Sequence, residues 1–172
     1  MNPFADRMIR AAKLNVNLYE EVEADKSALF QSMMVVVLAS VAAGIGAAGK
    51  GGVAAGLIGG TLMALVSWLI WAGLTYLIGT RLLPTPDTRS DYGELLRTTG
   101  FSSSPGIIRI LGIIPGLYTI ISLVAGIWML IAMIIAVRQA LDYTSTARAV
   151  GVCIIGWIIQ IVIMAIFAGL IR

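Results

Sequence analysis

Apolar residues collect in four long stretches, at residues 29–48, 53–79, 107–137 and 149–171. An α-helix rises about 1.5 Å per residue, so about 20 apolar residues cross the ~30 Å hydrocarbon core of a bilayer. Three of the four stretches exceed that length. Because lipid offers no partner for backbone N–H and C=O groups, such segments must be helical. The pattern predicts an all-α integral membrane protein.

The third stretch is too long for one straight crossing. From Pro105 to Val137 a continuous helix would measure about 50 Å, and the helix-breaking pair Pro115–Gly116 lies inside it. We therefore predict a five-helix transmembrane bundle with a short, broken third helix that is either a thin crossing or a re-entrant piece. The expected spans are residues 29–48, 53–79, 101–114, 117–140 and 147–171.

The distribution of basic residues favours five crossings. If the third helix did not cross, Arg138 and Arg148 would move to the side that carries few charges. Loops rich in Lys and Arg stay in the cytoplasm, so we expect a cytoplasmic N-terminus and an external C-terminus. With five crossings, the cytoplasmic side carries Arg7, Arg10, Lys13, Lys26, Arg81, Arg89, Arg97, Arg138 and Arg148, and the other side Lys50 and Arg172.

Composition agrees and excludes several classes of function. Hydrophobic residues make up 59% of the chain and charged residues 12%, about half the charged fraction of a soluble domain. The chain has no histidine, and Cys153 is its one cysteine. A Ser-His-Asp or Cys-His catalytic group, or a His/Cys metal site, therefore cannot form within one chain. We expect no enzymatic activity and no cofactor, and no nucleic-acid binding, because the net charge of +3 arises outside the apolar stretches.

Residues 1–28 form a polar segment with an amphipathic pattern. A helix that begins at Asn2 and Pro3 places Arg7, Arg10 and Lys13 on one side. We expect an interfacial helix whose basic side faces anionic headgroups, and a frayed polar tail is the alternative.

Three further local patterns concern the ends of the spans. Asp25 and Ser27 precede the first span and are of the types that cap helix N-termini. Residues 91–97 predict a short amphipathic helix on the surface. The first apolar stretch is too long for the apolar part of a signal peptide, so we expect it to remain as an anchor.

Small residues recur at helical spacing in the first two spans. Gly44 belongs to such a ladder in the first span, and Gly52, Gly56 and Gly60 form a double GxxxG motif at the start of the second. Close backbone approach at small residues stabilises helix pairs in lipid. The motif indicates a tight hairpin about residues 49–52 or a homodimer face.

Arg109 and Gln160 are the polar residues that stand out within the spans. A charge at depth is costly and usually has a partner or a path to water. We expect Arg109 to reach the cytoplasmic surface or to pair with Asp25 or Asp142, and a ligand or ion site is the alternative. An interhelical hydrogen bond is the default interpretation of Gln160.

Several segments together resemble the Yip domain family, the Ypt/Rab-interacting multispanning membrane proteins and their prokaryotic relatives. The residues that carry the resemblance are Gly100–Pro105, Ile127–Trp128 and Ala136–Tyr143, with Tyr19–Asp25 similar to the prokaryotic branch. The resemblance implies a five-helix fold with a cytoplasmic N-terminus and a prokaryotic inner membrane as its location. Eukaryotic members bind small GTPases, but this chain lacks their Asp-Leu-Tyr-Gly-Pro motif.

The leading functional hypothesis is a non-enzymatic scaffold, adaptor or accessory subunit of a membrane assembly. Its expected partners are membrane lipids, with anionic headgroups among them, and other membrane proteins or a second copy. The alternative is a small transporter or channel with a polar site near Arg109, and an enzyme that uses Asp25 and Asp142 has the least support. A polar cavity at mid-membrane depth would favour transport, and a dry bundle would favour a scaffold. The candidate binding residues are Arg97, Arg109, Arg138, Arg148, Asp25 and Asp142.

Overall fold

The computed structural model describes residues 3–48 and 53–170, which are mainly helical and contain no strand. A π-helix, Ile78–Leu82, extends the fourth α-helix, and a 3-10 helix, Ser104–Ile113, lies between the fifth and the sixth. The α-helices are α1 (Pro3–Ala12), α2 (Val16–Ala24), α3 (Ala28–Gly46), α4 (Val53–Leu77), α5 (Tyr92–Phe101), α6 (Tyr118–Ala140) and α7 (Thr146–Leu170).

Four helices of the described chain are long and apolar enough to cross a membrane. Their outward side chains are apolar, and Phe30, Ile58 and Ile161 are 64%, 71% and 67% exposed. A surface of this kind suits lipid and not water. The all-α membrane architecture is confirmed, although the predicted third span has no such helix. The four segments are Ala28–Gly46, Leu57–Leu82, Tyr118–Ala140 and Thr146–Ile163.

The 3-10 helix and the end of α5 run parallel to α3. Three glycines of this run allow close approach to α3 at successive levels along it. The first and last contacts lie 14 residues apart in α3, which corresponds to about 21 Å of helix. The chain therefore travels along most of α3 between residues 100 and 112. The contacts are Gly100 with Ser32, Gly106 with Ala39, and Gly112 with Gly46.

The α-helix predicted for residues 101–114 is wrong in type, because α5 ends at Phe101 and a 3-10 helix, Ser104–Ile113, follows. This helix ends within one residue of the predicted end, before the predicted break at Pro115–Gly116. Serine hydroxyls explain the change. Ser102 Oγ lies 2.6 Å from the Thr99 carbonyl oxygen, and Ser104 Oγ lies 2.7 Å from that of Phe101. These bonds compete with α-helical pairing. A 3-10 helix rises about 2.0 Å per residue, so ten residues reach further than they would in an α-helix.

The helix predicted on the surface near residues 91–97 begins at the surface but runs into the interior. Asp91 and Glu94 form a capping box at its start, and every residue from Leu95 to Phe101 is buried. The Trp68 indole N–H donates to the Leu96 carbonyl over 3.2 Å. Helix α5 is thus an internal element, enclosed by α2, α3, α4 and α6.

Helices α1 and α2 fold back on each other and against the bundle. Arg7 and Arg10 meet Glu21 at 2.9 Å and 2.6 Å, and Arg7 also meets Asp25 at 2.8 Å. The Trp128 indole N–H donates to the Ala12 carbonyl over 2.7 Å. The two arginines that were expected to face anionic headgroups are therefore paired with acidic side chains of this chain. The predicted cap Asn2 lies outside the described residues.

Asp25 and Ser27 do not cap α3 through their side chains. Asp25 instead follows the last turn of α2, and its Oδ1 accepts the backbone N–H of Ser27 over 2.9 Å. Its other oxygen is held by Arg7. Ser27 occupies the predicted N-cap position but makes no side-chain cap bond. The prediction is wrong for Asp25, which stabilises the turn between the two helices and not the first turn of α3.

Helices α3 and α4 form the expected antiparallel pair. Ser40 Oγ lies 3.0 Å from Thr61 Oγ1, and a Cβ at Gly44 would meet the Leu57 side chain. Gly60 is different, because a Cβ there would meet nothing within 4 Å. Of the other two glycines of the motif, Gly56 lies in the first turn of α4 and Gly52 lies outside the described residues.

Candidate functional site

A cavity of about 590 Å³, the central cavity, lies among α3, α4, the 3-10 helix, α6 and α7. Its lining residues come from the middle of each long helix: residues 36–40 of α3, 64–71 of α4, 129–133 of α6 and 157–161 of α7. Since these helices are long and apolar enough to cross a membrane, the central cavity lies about halfway along the candidate spans.

Aromatic and sulfur-containing side chains form much of the wall of the central cavity. Trp68, Trp71, Trp157, Met129 and Met133 all line it. The indole N–H of Trp71 donates a hydrogen bond to the Met133 sulfur over 3.1 Å. Apolar walls with a few polar groups are typical of ligand pockets.

Gln160 supplies a polar atom without a partner. It lines the central cavity, and its Oε1 is buried with no hydrogen-bond partner in the described part of the chain. A buried acceptor left unpaired costs about 1–3 kcal/mol. The expected interhelical hydrogen bond is therefore absent at this atom.

Arg109 lines the same cavity and is also unpaired. Its side chain makes no hydrogen bond or ion pair with any residue that the structure describes. Its carbonyl oxygen lies against Gly46, at the end of α3 that is remote from Asp25. Asp25 is held by Arg7, and Asp142 accepts the backbone N–H of Arg89 over 3.1 Å. The predicted pairing of Arg109 with either carboxylate is wrong.

A second cavity of about 470 Å³, the lateral cavity, meets the central one at Arg109. It follows α6 towards the start of that helix, as far as Ser122. Leu123 and Ile127 line it and are 63% and 53% exposed. The lateral cavity therefore opens onto the lipid-facing surface. Four residues line both cavities: Arg109, Met129, Met133 and Trp157.

The other three arginines predicted as binding residues do not join Arg109 in one cluster. Arg97 is 5% exposed and donates to the carbonyls of Val22 and Glu23 at the end of α2. Arg138 donates to the Tyr143 carbonyl over 3.1 Å and Arg148 to that of Pro84, also over 3.1 Å. Each satisfies backbone acceptors at a helix end or in a loop.

A third cavity of about 520 Å³, the acidic cavity, lies where the ends of α2 and α6 meet. Burial is the main cause that raises the pKa of Glu23 to about 8, and Glu94, Asp142 and Glu20 add to the effect. Sequence reasoning missed this cavity because its residues come from three distant segments. Its polar lining is Glu20, Glu23, Glu94, Arg138, Gln139, Asp142, Tyr143 and Thr144.

Sequence reasoning also missed the central cavity as a whole. One signal was present, because Trp68, Trp71 and Trp157 lie inside apolar stretches and not in the interfacial zone that tryptophan prefers. Tryptophans at that depth need partners from other helices. Which helices supply them depends on packing, and no pattern within one helix specifies it.

Comparison with known proteins identifies one matching family. The family model of the Yip1 domain matches residues 18–167, a range that contains all three cavities. No curated protein and no solved structure matches the chain. Residues that carried the resemblance make contacts between helices in the fold: Gly100 with Ser32, Trp128 with Ala12, and the Tyr143 hydroxyl at 2.7 Å from the Leu83 carbonyl oxygen.

Proposed function

Because the chain belongs to the Yip1 domain family, we propose that it is a non-enzymatic membrane protein that carries an anionic amphiphile at the central cavity. The observation that carries this proposal is Arg109, a guanidinium without a partner among the described residues, in a largely apolar cavity about halfway along the candidate spans. A charge within the hydrocarbon region is costly unless a ligand or water compensates it. This is the transporter alternative of the sequence analysis, restricted to anions.

The cavity is the reason to prefer a carrier to a scaffold. A scaffold needs helix surfaces but no interior space, whereas this bundle leaves about 590 Å³ at its centre. Neither cavity at Arg109 has an acidic lining residue, so a cation would find no carboxylate there. Asp25 and Asp142 are held by separate partners, which supports the absence of acid–base catalysis.

The proposed topology has five crossings, with a cytoplasmic N-terminus and an external C-terminus, in a prokaryotic inner membrane. The support is the run from Gly100 to Gly112, which follows α3 for about 21 Å in the same direction. A segment parallel to a crossing helix over that distance passes through most of the ~30 Å hydrocarbon core. The excess of basic residues on one side agrees with this orientation.

Native mass spectrometry of the gently solubilised protein tests the carrier proposal. The wild type should retain an anionic lipid or fatty acid that Arg109→Gln loses, because a guanidinium binds such heads through charge-assisted hydrogen bonds. Arg89→Gln is the matched control, since Arg89 is exposed and outside both cavities. Identical bound species in the wild type and in Arg109→Gln would contradict the proposal.

A second candidate function, self-association or adaptor binding, has one specific observation in its favour. Cβ atoms at Gly59 and Gly60 would meet nothing within 4 Å, and Leu62 and Met63 beside them are 59% and 53% exposed. Such a face permits close approach of another helix. Gly60→Leu should abolish crosslinked dimers in membranes if this face mediates association, and unchanged crosslinking would exclude it.

A further inference from the structure

The central and lateral cavities adjoin each other, and we call the two together the lipid-facing groove. They share Arg109, Met129, Met133 and Trp157. Three of the lateral residues point towards lipid, since Leu123, Ile127 and Trp157 are 63%, 53% and 51% exposed. A molecule in the groove could therefore keep its apolar chains in the bilayer while its polar head lies inside the protein.

Polar side chains accompany the lipid-facing groove over most of the bundle's depth. Thr99 and Ser103 line its end beside Ser32, one turn into α3. Gln160 lines its middle. The other end is lined by Ser122, one turn into α6, and by Arg109, whose carbonyl oxygen lies beside Gly46 at the end of α3. A head group would find a hydrogen-bonding partner at each level.

Several of these groups are available to a ligand. The hydroxyls of Ser67, Ser103 and Ser122 form no hydrogen bond within the described chain. The guanidinium of Arg109 is equally unpaired, and so is Gln160 Oε1. A planar guanidinium matches the oxygens of a phosphate. The serine hydroxyls can accept a hydrogen bond from an amine or hydroxyl on the same head group.

From this arrangement we propose that the groove moves phospholipid head groups between the two leaflets, with Arg109 holding the phosphate as it passes. This inference rests on the carrier function proposed above and specifies its substrate. The head groups that fit combine a phosphate with a hydrogen-bond donor, as in phosphatidylethanolamine and phosphatidylglycerol. A charged head crosses an unaided bilayer only at high cost, and the groove lowers that cost. The proposed transfer is passive and equilibrates the two leaflets.

The full-length protein in lipid vesicles tests the transfer. Vesicles of phosphatidylcholine with some phosphatidylglycerol would carry a trace of acyl-labelled fluorescent phosphatidylethanolamine. A membrane-impermeant reductant should bleach one leaflet in protein-free vesicles and nearly all the label when the protein is present. Phosphatidylcholine, whose head lacks a donor, should cross more slowly. Bleaching that stops at one leaflet would overturn the inference.

Two variants test separately the charge of Arg109 and the open space of the lateral cavity. Arg109→Gln should slow transfer by about tenfold or more, since it removes charge-assisted hydrogen bonds. Gly126→Phe should also block transfer with the charge intact, because Gly126 lines the lateral cavity and has nothing within 4 Å of its Cβ position. Arg89→Gln should transfer like the wild type. Thermal melting verifies that each variant is folded, and wild-type rates in both groove variants would refute the proposal.

Further measurements distinguish failure of the inference from failure of the carrier function. An anionic amphiphile that depends on Arg109 in mass spectrometry, without bleaching of the second leaflet, would overturn transfer and leave the binding site standing. Loss of both signals would overturn both. Vesicles loaded with inorganic phosphate provide the last arm, and efflux of that phosphate through the wild type would identify a soluble anion, and not a lipid, as the substrate.

Discussion

Arg97 and Arg109 lie twelve residues apart in the chain, yet their environments are opposite. Arg97 is 5% exposed and its guanidinium binds the last carbonyls of α2. Arg109 has no partner among the described residues. Both are charges in a protein that offers little water. The first is compensated by the chain itself, and the second has no such compensation, which is the observation that supports the proposed ligand site.

Arg97→Ala should destabilise the protein by about 2–3 kcal/mol, because it leaves buried carbonyls at Val22 and Glu23 without a donor. Thermal unfolding in detergent measures the effect. Arg89→Ala is the control, since the Arg89 side chain is exposed and only its backbone N–H is bonded. Equal melting temperatures for the two variants would show that the Arg97 bonds are not stabilising.

Glu23 makes stability depend on pH. Its pKa rises from the ordinary 4.5 to about 8 in the fold, chiefly through burial. The folded state therefore holds a proton that the unfolded state releases above about pH 4.5. The stabilisation is complete below that pH and is lost as the pH rises through about 8.

Glu23→Gln should reduce the loss of stability between about pH 6 and pH 9, because the amide cannot ionise. Melting temperatures at both pH values provide the measurement. Asp87→Asn removes an exposed carboxylate elsewhere and should retain the wild-type difference. An unchanged difference in Glu23→Gln would assign the pH dependence to other groups.

At the scale of elements, the contact between α3 and the 3-10 helix is the most demanding packing in the molecule. A Cβ at Gly46 would collide with the backbone carbonyl oxygen of Arg109, and one at Gly112 would lie 3.2 Å from the Gly46 carbonyl oxygen. Backbone atoms cannot rotate away as a side chain can. The path of the 3-10 helix therefore depends on glycine, which has no Cβ, at these two positions.

Gly46→Ala should cost about 1–3 kcal/mol, the usual range for overpacking. Gly126→Ala provides the matched comparison, since a Cβ there meets nothing within 4 Å and alanine favours a helix by up to about 1 kcal/mol over glycine. Chemical or thermal unfolding should thus shift in opposite directions for the two variants. A neutral Gly46→Ala would mean that α3 and the 3-10 helix can separate without cost.

At the scale of the whole molecule, the topology depends on whether residues 100–113 cross the membrane. Single cysteines in a Cys153→Ala background answer this directly. Asp87→Cys precedes the segment and Ile114→Cys follows it, and both positions are exposed. Because the segment runs parallel to α3 for about 21 Å, an impermeant thiol reagent should label the first from the cytoplasm only and the second from outside only. If both cysteines are labelled from the same side, the segment does not cross and the protein has four crossings.

Much of this architecture was predictable from single segments. Spans α3, α4, α6 and α7 begin or end close to the predicted residues, because an apolar helix in lipid must satisfy its own backbone and cover its own length. The resemblance at Ala136–Tyr143 and Gly100–Pro105 correctly indicated the family. The errors fell on α5, the 3-10 helix and Asp25, where neighbouring elements decide the local structure.

The sequence by itself determined that this is an all-α membrane protein, where its four long apolar helices lie, and that Arg109 is an unusual residue within the apolar stretches. These properties follow from hydropathy along one helix at a time. Only the tertiary structure decided that α5 is internal, that Arg7 and Arg97 are bound within the chain, and that Arg109 and Gln160 face one cavity. The physical reason is that a charge or an amide is satisfied by whatever packs beside it, and packing brings together residues that are distant in sequence.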